Sequence, residues 1–295
     1  MNSTSTKQPQ AILNYNIAHH EDPPLIIEAT QGWRTLDFKE IWRYRELLLF
    51  LTWRDISVRY KQTVLGIAWA VIQPLFTMIV FTIFFGRLGG IDQKLGSDLN
   101  YSLFVFSGLL PWLLFAFALN EVSKSMVTNR NLITKVYFPR LIVPLAPLLS
   151  GLVDFAIAAV LFTGMMVWYQ VMPGWPILLL PFFLLMALIT SLAVGLWLAA
   201  LNAIYRDVQY TLNFLTQFWM FLTPIAYPSS IVPEQWRWLY GLNPMTGVVD
   251  GFRWALFGTT PPGLMMLVSF VMMVVMLIGG LFYFRRMERT FADVV

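Results

Sequence analysis

The sequence predicts an all-α integral membrane protein, and three observations carry that prediction. Of 295 residues, 58% are hydrophobic and 16% aromatic, while 12% are Asp, Glu, Lys or Arg, about half the ~25% of soluble domains. Stretches free of charge run over 62–86, 99–120, 155–205, 208–233 and 254–284, each matching or exceeding the ~20 apolar residues that cross a ~30 Å hydrocarbon core. The Lys and Arg residues between those stretches fall mainly on one side. A soluble domain, a disordered chain and a disulfide scaffold are excluded. The net charge of +4 is too small to argue for nucleic acid. With no Cys there is no disulfide, thiolate metal site or cysteine nucleophile.

The first element is an extension, residues 1–37, opening on Met1-Asn2-Ser3-Thr4-Ser5. A signal peptide needs a basic region followed by an apolar core, so the first span is expected to insert uncleaved. Residues 38–62 carry charges and aromatics together. In the second half Trp53, Ile56 and Tyr60 share one helical face, with Arg54, Asp55, Arg59 and Lys61 elsewhere, as in an amphipathic helix lying in the membrane interface. Leu47–Leu51 interrupts that pattern and predicts burial against protein. The remainder, 63–295, holds six expected spans at about 64–86, 101–121, 141–168, 176–204, 208–227 and 264–284. The 51 uncharged residues of 155–205 exceed one span and divide at Met172-Pro173-Gly174-Trp175-Pro176, where two prolines and a glycine turn the chain and restart a helix.

Sixteen Lys and Arg residues lie before 62, in 122–140, at 206 and after 284, against four (Arg87, Lys94, Arg237, Arg253) on the opposite side. That asymmetry places both termini in the cytoplasm. The outer segment 228–262 predicts two short helices. Pro233 precedes Glu234 and Gln235, and Asn243-Pro244 is an N-cap followed by proline at the first helical position. Trp236, Trp238, Tyr240 and Trp254 would anchor them at the interface.

Conventional chemistry is missing from the sequence. No G-x-x-x-x-G-K-[ST] loop cradles phosphates, no metal set is visible, and no carboxylate pair recurs within the spans to serve as acid and base. A catalytic residue is therefore not expected. Asp154 is the single charge within an expected span, and such groups are often functional; the plainer reading pairs it with Thr190, Ser191, Asn213 or Gln217. Tyr210, Phe214, Phe218 and Phe221 recur at helical spacing. They form either a lipid-facing or packed stripe, or a surface on which the apolar faces of sugar rings slide. The stretch 122–140 has helical potential after Asn129, and is either a basic loop or a helix that docks a cytoplasmic partner.

The run Trp53-Arg54-Asp55-Ile56-Ser57-Val58-Arg59-Tyr60-Lys61-Gln62-Thr63-Val64-Leu65-Gly66-Ile67-Ala68-Trp69 and on to Pro74-Leu75 resembles the opening of bacterial polysaccharide-export permeases of the type 2 ABC transporter family. These are the O-antigen (Wzm-like), capsule and teichoic-acid permeases. The resemblance continues at Gly108-Leu109-Leu110-Pro111-Trp112, Asn129-Arg130-Asn131-Leu132-Ile133, Phe138-Pro139-Arg140, Tyr205-Arg206-Asp207-Val208, Pro224-Ile225-Ala226-Tyr227-Pro228 and Asn243-Pro244-Met245-Thr246, covering about 40–285.

It implies a six-span permease in the bacterial inner membrane, working as a homodimer with two copies of a nucleotide-binding ATPase subunit. No cofactor belongs to this chain; ATP and Mg belong to the partner. The implied cargo is undecaprenyl-diphosphate-linked polysaccharide. The interface helix maps onto 38–62, the coupling helix onto about 125–138 with Asn129, Arg130, Asn131, Leu132 and Lys135, and outer gating helices onto 230–257 with Trp236, Trp238, Asn243 and Pro244. Arg54, Arg59 and Lys61 stand where an anionic head group is attracted, or are ordinary positive-inside residues. Competing readings are a drug or small-lipid exporter of the same superfamily and a membrane enzyme of lipid-linked sugars.

Overall fold

A computed structural model describes residues 38–61, 66–94, 99–205 and 207–294. The extension 1–37, the junction 62–65 and Arg206 lie outside the described residues. Among those described, all regular structure is helical. Two helices lead: α1 (Phe38–Arg43) and α2 (Arg45–Lys61). Then come α3 (Ala68–Phe81), continued by a π-helical stretch Thr82–Leu88, α4 (Tyr101–Thr128), α5 (Arg130–Lys135) and α6 (Ile142–Trp168). A 3₁₀ turn, Trp175–Leu179, opens α7 (Leu180–Ile204). The chain closes with α8 (Val208–Leu222), α9 (Glu234–Tyr240), α10 (Pro244–Phe257) and α11 (Leu264–Val294).

Among the described residues, five helical stretches are long and apolar enough to cross a membrane: Ala68–Leu88, Tyr101–Thr128, Ile142–Trp168, Trp175–Ile204 and Leu264–Met287. The expected sixth, 208–227, is a helix of only 15 residues. At 1.5 Å per residue it is about 22 Å long, short of a ~30 Å core, so a crossing here takes in the buried, non-helical residues 223–226 that follow it. It stops at Leu222 because Pro224 follows, and the residue before a proline is pushed out of the α region: Thr223 has ψ 139°. The split expected near 172–176 is present, with α6 ending at Trp168 and helix resuming at Trp175.

The core is organised around α4. In its most apolar 18 residues 78% are buried, against 17–39% for the other four candidate spans. It packs chiefly on α7 and α6, and also on α10, α3 and α8. The outer side of α3 and much of α11 face away from protein, as lipid or partner surfaces do.

The interface segment breaks at Tyr44 and runs on along α6. The expected burial of Leu47–Leu51 holds for Leu51 alone, which is 1% exposed; Leu49 and Phe50 are exposed. A single face of α2 meets α6, and it takes Leu51 and Thr52 while Trp42, Leu49, Phe50 and Trp53 face outward. The expected Trp53, Ile56 and Tyr60 stripe is accordingly divided, Trp53 outward and Tyr60 turned to α6.

Close helix approach depends on small residues, most sharply where α10 crosses α7. A Cβ on Gly251 would lie 2.2 to 2.6 Å from three ring atoms of buried Phe183. Gly251→Ala should therefore destabilise the fold by about 1–3 kcal/mol through overpacking. Gly164→Ala on α6, where a Cβ meets nothing within 4 Å, should be neutral or gain up to about 1 kcal/mol of helix propensity. Thermal unfolding in detergent distinguishes the pair, and equal midpoints would show that the α7 and α10 contact is looser than described.

Candidate functional site

Where α8 ends, the backbone of Thr223, Pro224, Ile225 and Ala226 is buried but not helical. Unpaired carbonyls are costly away from water, and side chains from α4 and α10 answer them. Arg253, 4% exposed, donates from Nη1 to the Pro224 carbonyl and from Nη2 to the Ile225 carbonyl at 2.7 Å. The Tyr101 hydroxyl donates to the Ala226 carbonyl at 2.6 Å. Asn243 Nδ2 donates to Thr223 Oγ1 at 3.0 Å, while Asn243 Oδ1 accepts from Trp219 Nε1 at 2.9 Å and from the Met245 amide at 3.1 Å. Asn243 thus caps α10, as its pairing with Pro244 predicts, and also ties α10 to α8.

The guanidinium of Arg253 lies 3.6 Å from the Phe104 ring centroid, and its Nη1 is 3.6 Å from Asp250 Oδ1. Gly108 on α4 leaves room for it, since a Cβ there would sit 3.0 Å from Nη2. Burial lowers the Arg253 guanidinium to about 10, opposed by Asp250 and the tyrosines nearby, so it stays charged at neutral pH. Burial likewise raises the Asp250 carboxyl, opposed by Arg253, Ser229 and Arg237. In sequence Arg253 reads as one of four basic residues on the sparse side. The signal that could have singled it out is its i,i+3 spacing from Asp250 next to an Asn-Pro cap.

The body of α8 is attached by a narrow face. Leu212 and Thr216 are buried, and Trp219 packs edge-on against Phe115 with centroids 5.1 Å apart. Tyr210, Phe214, Phe218 and Phe221 are all exposed, between 50% and 80%. The rings of Phe214 and Phe218 are nearly parallel, 12° apart in plane at 6.4 Å, and Phe221 approaches Phe81 of α3. Trp69, Phe76 and Phe84 on α3 are exposed as well. The four aromatics singled out in sequence therefore form a ladder that stays exposed among the described residues.

At the opposite end of α3 a cavity of 420 Å³ opens between α2, α3, α4 and α6. Its polar rim holds Arg59, Tyr60 and Asp154. Arg59 Nη1 donates to Asp154 Oδ2 and the Tyr60 hydroxyl to Oδ1. Arg59 also lies 3.9 Å from the Phe117 ring centroid and donates to Ser150 Oγ at 3.4 Å. This corrects the expected partners of Asp154. Thr190 and Ser191 bond their own helix carbonyls, and Asn213 and Gln217 are exposed on α8. The contact spans 95 positions in the chain, so spacing alone does not reveal it. Burial, reinforced by Asp154, pushes the Tyr60 hydroxyl up to about 12, so it is a donor at neutral pH. Of the other expected head-group cations, Arg54 forks onto Asp55 at 2.8 and 3.1 Å and Lys61 is exposed.

The expected coupling segment 125–138 divides in two. Residues to Thr128 continue α4, and the separate helix is Arg130–Lys135. Arg130, Asn131 and Lys135 are exposed and Leu132 is half-buried. Asn129 turns inward and donates to the Ser125 carbonyl at 2.8 Å. Of the expected gate residues, Trp236 and Trp238 are exposed on α9, whereas at the head of α10 Pro244 is buried and Asn243 half-buried.

Residues 46–257 match the family model described as ABC-2 type transporter. The chain is 32% identical over 217 residues to an O-antigen export system permease protein RfbA of Myxococcus xanthus, covering 73% of this chain and 82% of that one. It is 24% identical over 254 residues to RfbA of Klebsiella pneumoniae, covering 85% and 95%. It is 27% identical over 214 residues to the polysialic acid transport protein KpsM of Escherichia coli, covering 70% and 79%.

Replacing Arg253 tests the hydrogen-bonded junction. Arg253→Met leaves the Pro224 and Ile225 carbonyls without their donor and Asp250 without its cation, at a cost of about 3–5 kcal/mol. Membrane abundance and the unfolding midpoint should both fall steeply. Arg237→Gln removes a pair with exposed Glu234 and a hydrogen bond to the Val232 carbonyl at 3.1 Å, and should cost no more than about 1–2 kcal/mol. An Arg253→Met protein as abundant and stable as the parent would mean that other groups hold the segment.

Proposed function

Because this chain belongs to the ABC-2 type transporter family, we propose that it is the transmembrane permease subunit of a bacterial exporter of lipid-linked polysaccharide. It acts in the inner membrane with both termini in the cytoplasm, as the sixteen-to-four distribution of basic residues favours. Two copies form the conduit, and two copies of a separate ATPase subunit bind ATP and Mg and supply the energy. The cargo is a glycan carried on undecaprenyl diphosphate.

The observation that carries this reading is the uncovered aromatic ladder of α8 in a chain so similar to O-antigen permeases. Sugar rings have apolar C–H faces that lie on aromatic planes. A ladder of such planes holds each sugar weakly and equally, which suits a polymer that must slide. The rings need no hydrogen-bonding partner that would fix one residue in place.

The geometry also suggests how force reaches the ladder. The exposed Arg130, Asn131 and Lys135 offer the ATPase a docking surface at one end of α4. At the other end, Tyr101 donates to the Ala226 carbonyl and the Phe104 carbonyl accepts from Arg253, which grips the end of α8. Since α4 is the most buried of the five candidate spans and protein interiors are close-packed, a push on α5 is passed along it to that junction. The Arg54, Arg59 and Lys61 cations on α2 attract the diphosphate at the inner leaflet.

Deleting the gene and staining surface polysaccharide tests the reading, with loss of surface glycan expected. Intact glycan together with a new drug sensitivity would point instead to a drug exporter. A finer prediction concerns the ladder. Phe214 and Phe218 are 69% and 54% exposed, so truncation should cost well under the roughly 3–5 kcal/mol of a core Phe→Ala. Phe214→Ala and Phe218→Ala should insert at parental abundance and export less polymer. Unchanged export would remove the ladder from the conduit.

A further inference from the structure

Asp154 sits midway along α6, yet its carboxylate is occupied by two donors from α2, Arg59 on Oδ2 and Tyr60 on Oδ1. The pair is not sealed. The Arg59 and Asp154 side chains are 27% and 30% exposed, and both border the 420 Å³ cavity, whose lining is otherwise mainly apolar, with Trp69, Pro74, Leu110 and Phe155 beside the polar Gln73 and Asn120. A salt bridge sealed between two helices leaves no room for a competing anion. This one faces enough room to admit an outside anion joined to an apolar chain.

We propose that Asp154 is a place-holder anion, occupying Arg59 in the unloaded permease until the diphosphate of a polyprenyl diphosphate displaces it. No covalent bond changes; the guanidinium exchanges one anion for another. Arg suits this exchange because its planar fork bonds phosphate as well as carboxylate. Tyr60 makes the exchange feasible, since it keeps a donor on the released Asp154 carboxylate, which would otherwise be left charged and unpaired. The first isoprene units then lie along the apolar wall. Asp154 is thereby a specificity residue. A weakly charged head group does not repay the broken pair, whereas a diphosphate does, which is discrimination by a built-in competitor. The inference rests on the lipid-linked cargo proposed above.

The test measures binding of a polyprenyl diphosphate, and separately of inorganic diphosphate, to the full chain in nanodiscs of zwitterionic lipid. Asp154→Asn should bind the polyprenyl diphosphate at least about fivefold tighter, the low end of a typical coupling between two competing ligands. Arg59→Gln should bind it roughly tenfold more weakly, as expected for loss of a charged hydrogen bond. A merely structural clamp predicts that neither affinity improves. Unchanged or weaker binding by a folded Asp154→Asn protein overturns the place-holder role. Should that variant fail to insert, Tyr60→Phe decides, with weaker binding expected and parental binding contradicting the exchange. Inorganic diphosphate should bind far more weakly than the lipid, and equal affinity would mean that the apolar wall plays no part. A parental protein that binds no polyprenyl diphosphate would overturn the cargo reading itself, a failure distinct from parental binding that Asp154→Asn does not improve.

Discussion

The backbone between Thr223 and Ala226 has left the helix while still buried, and every carbonyl it exposes must find a donor inside the protein. In hydrocarbon such a break is tolerated only where protein covers it. One guanidinium supplies most of the cover here. Arg253 bonds two consecutive carbonyls, reaches the Phe104 carbonyl at 3.5 Å and lies on the Phe104 ring. Its position explains why three sequence motifs far apart in the chain meet in space. Gly108 leaves room for the guanidinium, Pro224 ends α8 and presents the carbonyls, and Asn243-Pro244 starts the helix that carries Arg253. The same junction gives α8 a fixed end while leaving most of its surface uncovered.

Two mechanical classes of helix follow. α4 is enclosed and bears on the other helices around it, so it moves as a rigid strut if it moves at all. α3 and α8 are held along narrow stripes and present aromatic rings outward. A conduit needs both: a part that transmits a push without deforming, and a surface not already committed to intramolecular packing. The cavity beside α2 belongs to neither class. There the polar groups are satisfied by one another, which is why they are visible as a site only when the helices are placed.

Much of this architecture is legible in the sequence because the bilayer fixes element length. The turn at Met172-Pro173-Gly174-Trp175-Pro176 and the Asn243 cap follow from local backbone chemistry and are found where expected. The length of α8 is not legible by composition, because Thr223, Ile225 and Ala226 are as apolar as a span requires; only Pro224 marks the break. Arg253 and Asp154 are misjudged for a related reason. Their partners lie 28, 29 and 95 positions away, and helical periodicity reports which face a residue occupies without reporting what faces it. The Leu47–Leu51 block similarly reads as buried, yet one packing face admits only Leu51.

The central claim is that this chain, with its ATPase, carries a lipid-linked glycan across a membrane along the α8 ladder. Reconstituting the two subunits in vesicles loaded with a fluorescent glycan on polyprenyl diphosphate tests it most directly. The expected result is an ATP-dependent appearance of the glycan on the face opposite the ATPase, where an added glycosidase cleaves it, with none when the ATPase cannot hydrolyse ATP. Glycan that stays protected while the assembled complex hydrolyses ATP and moves a small lipid or drug instead would contradict the account.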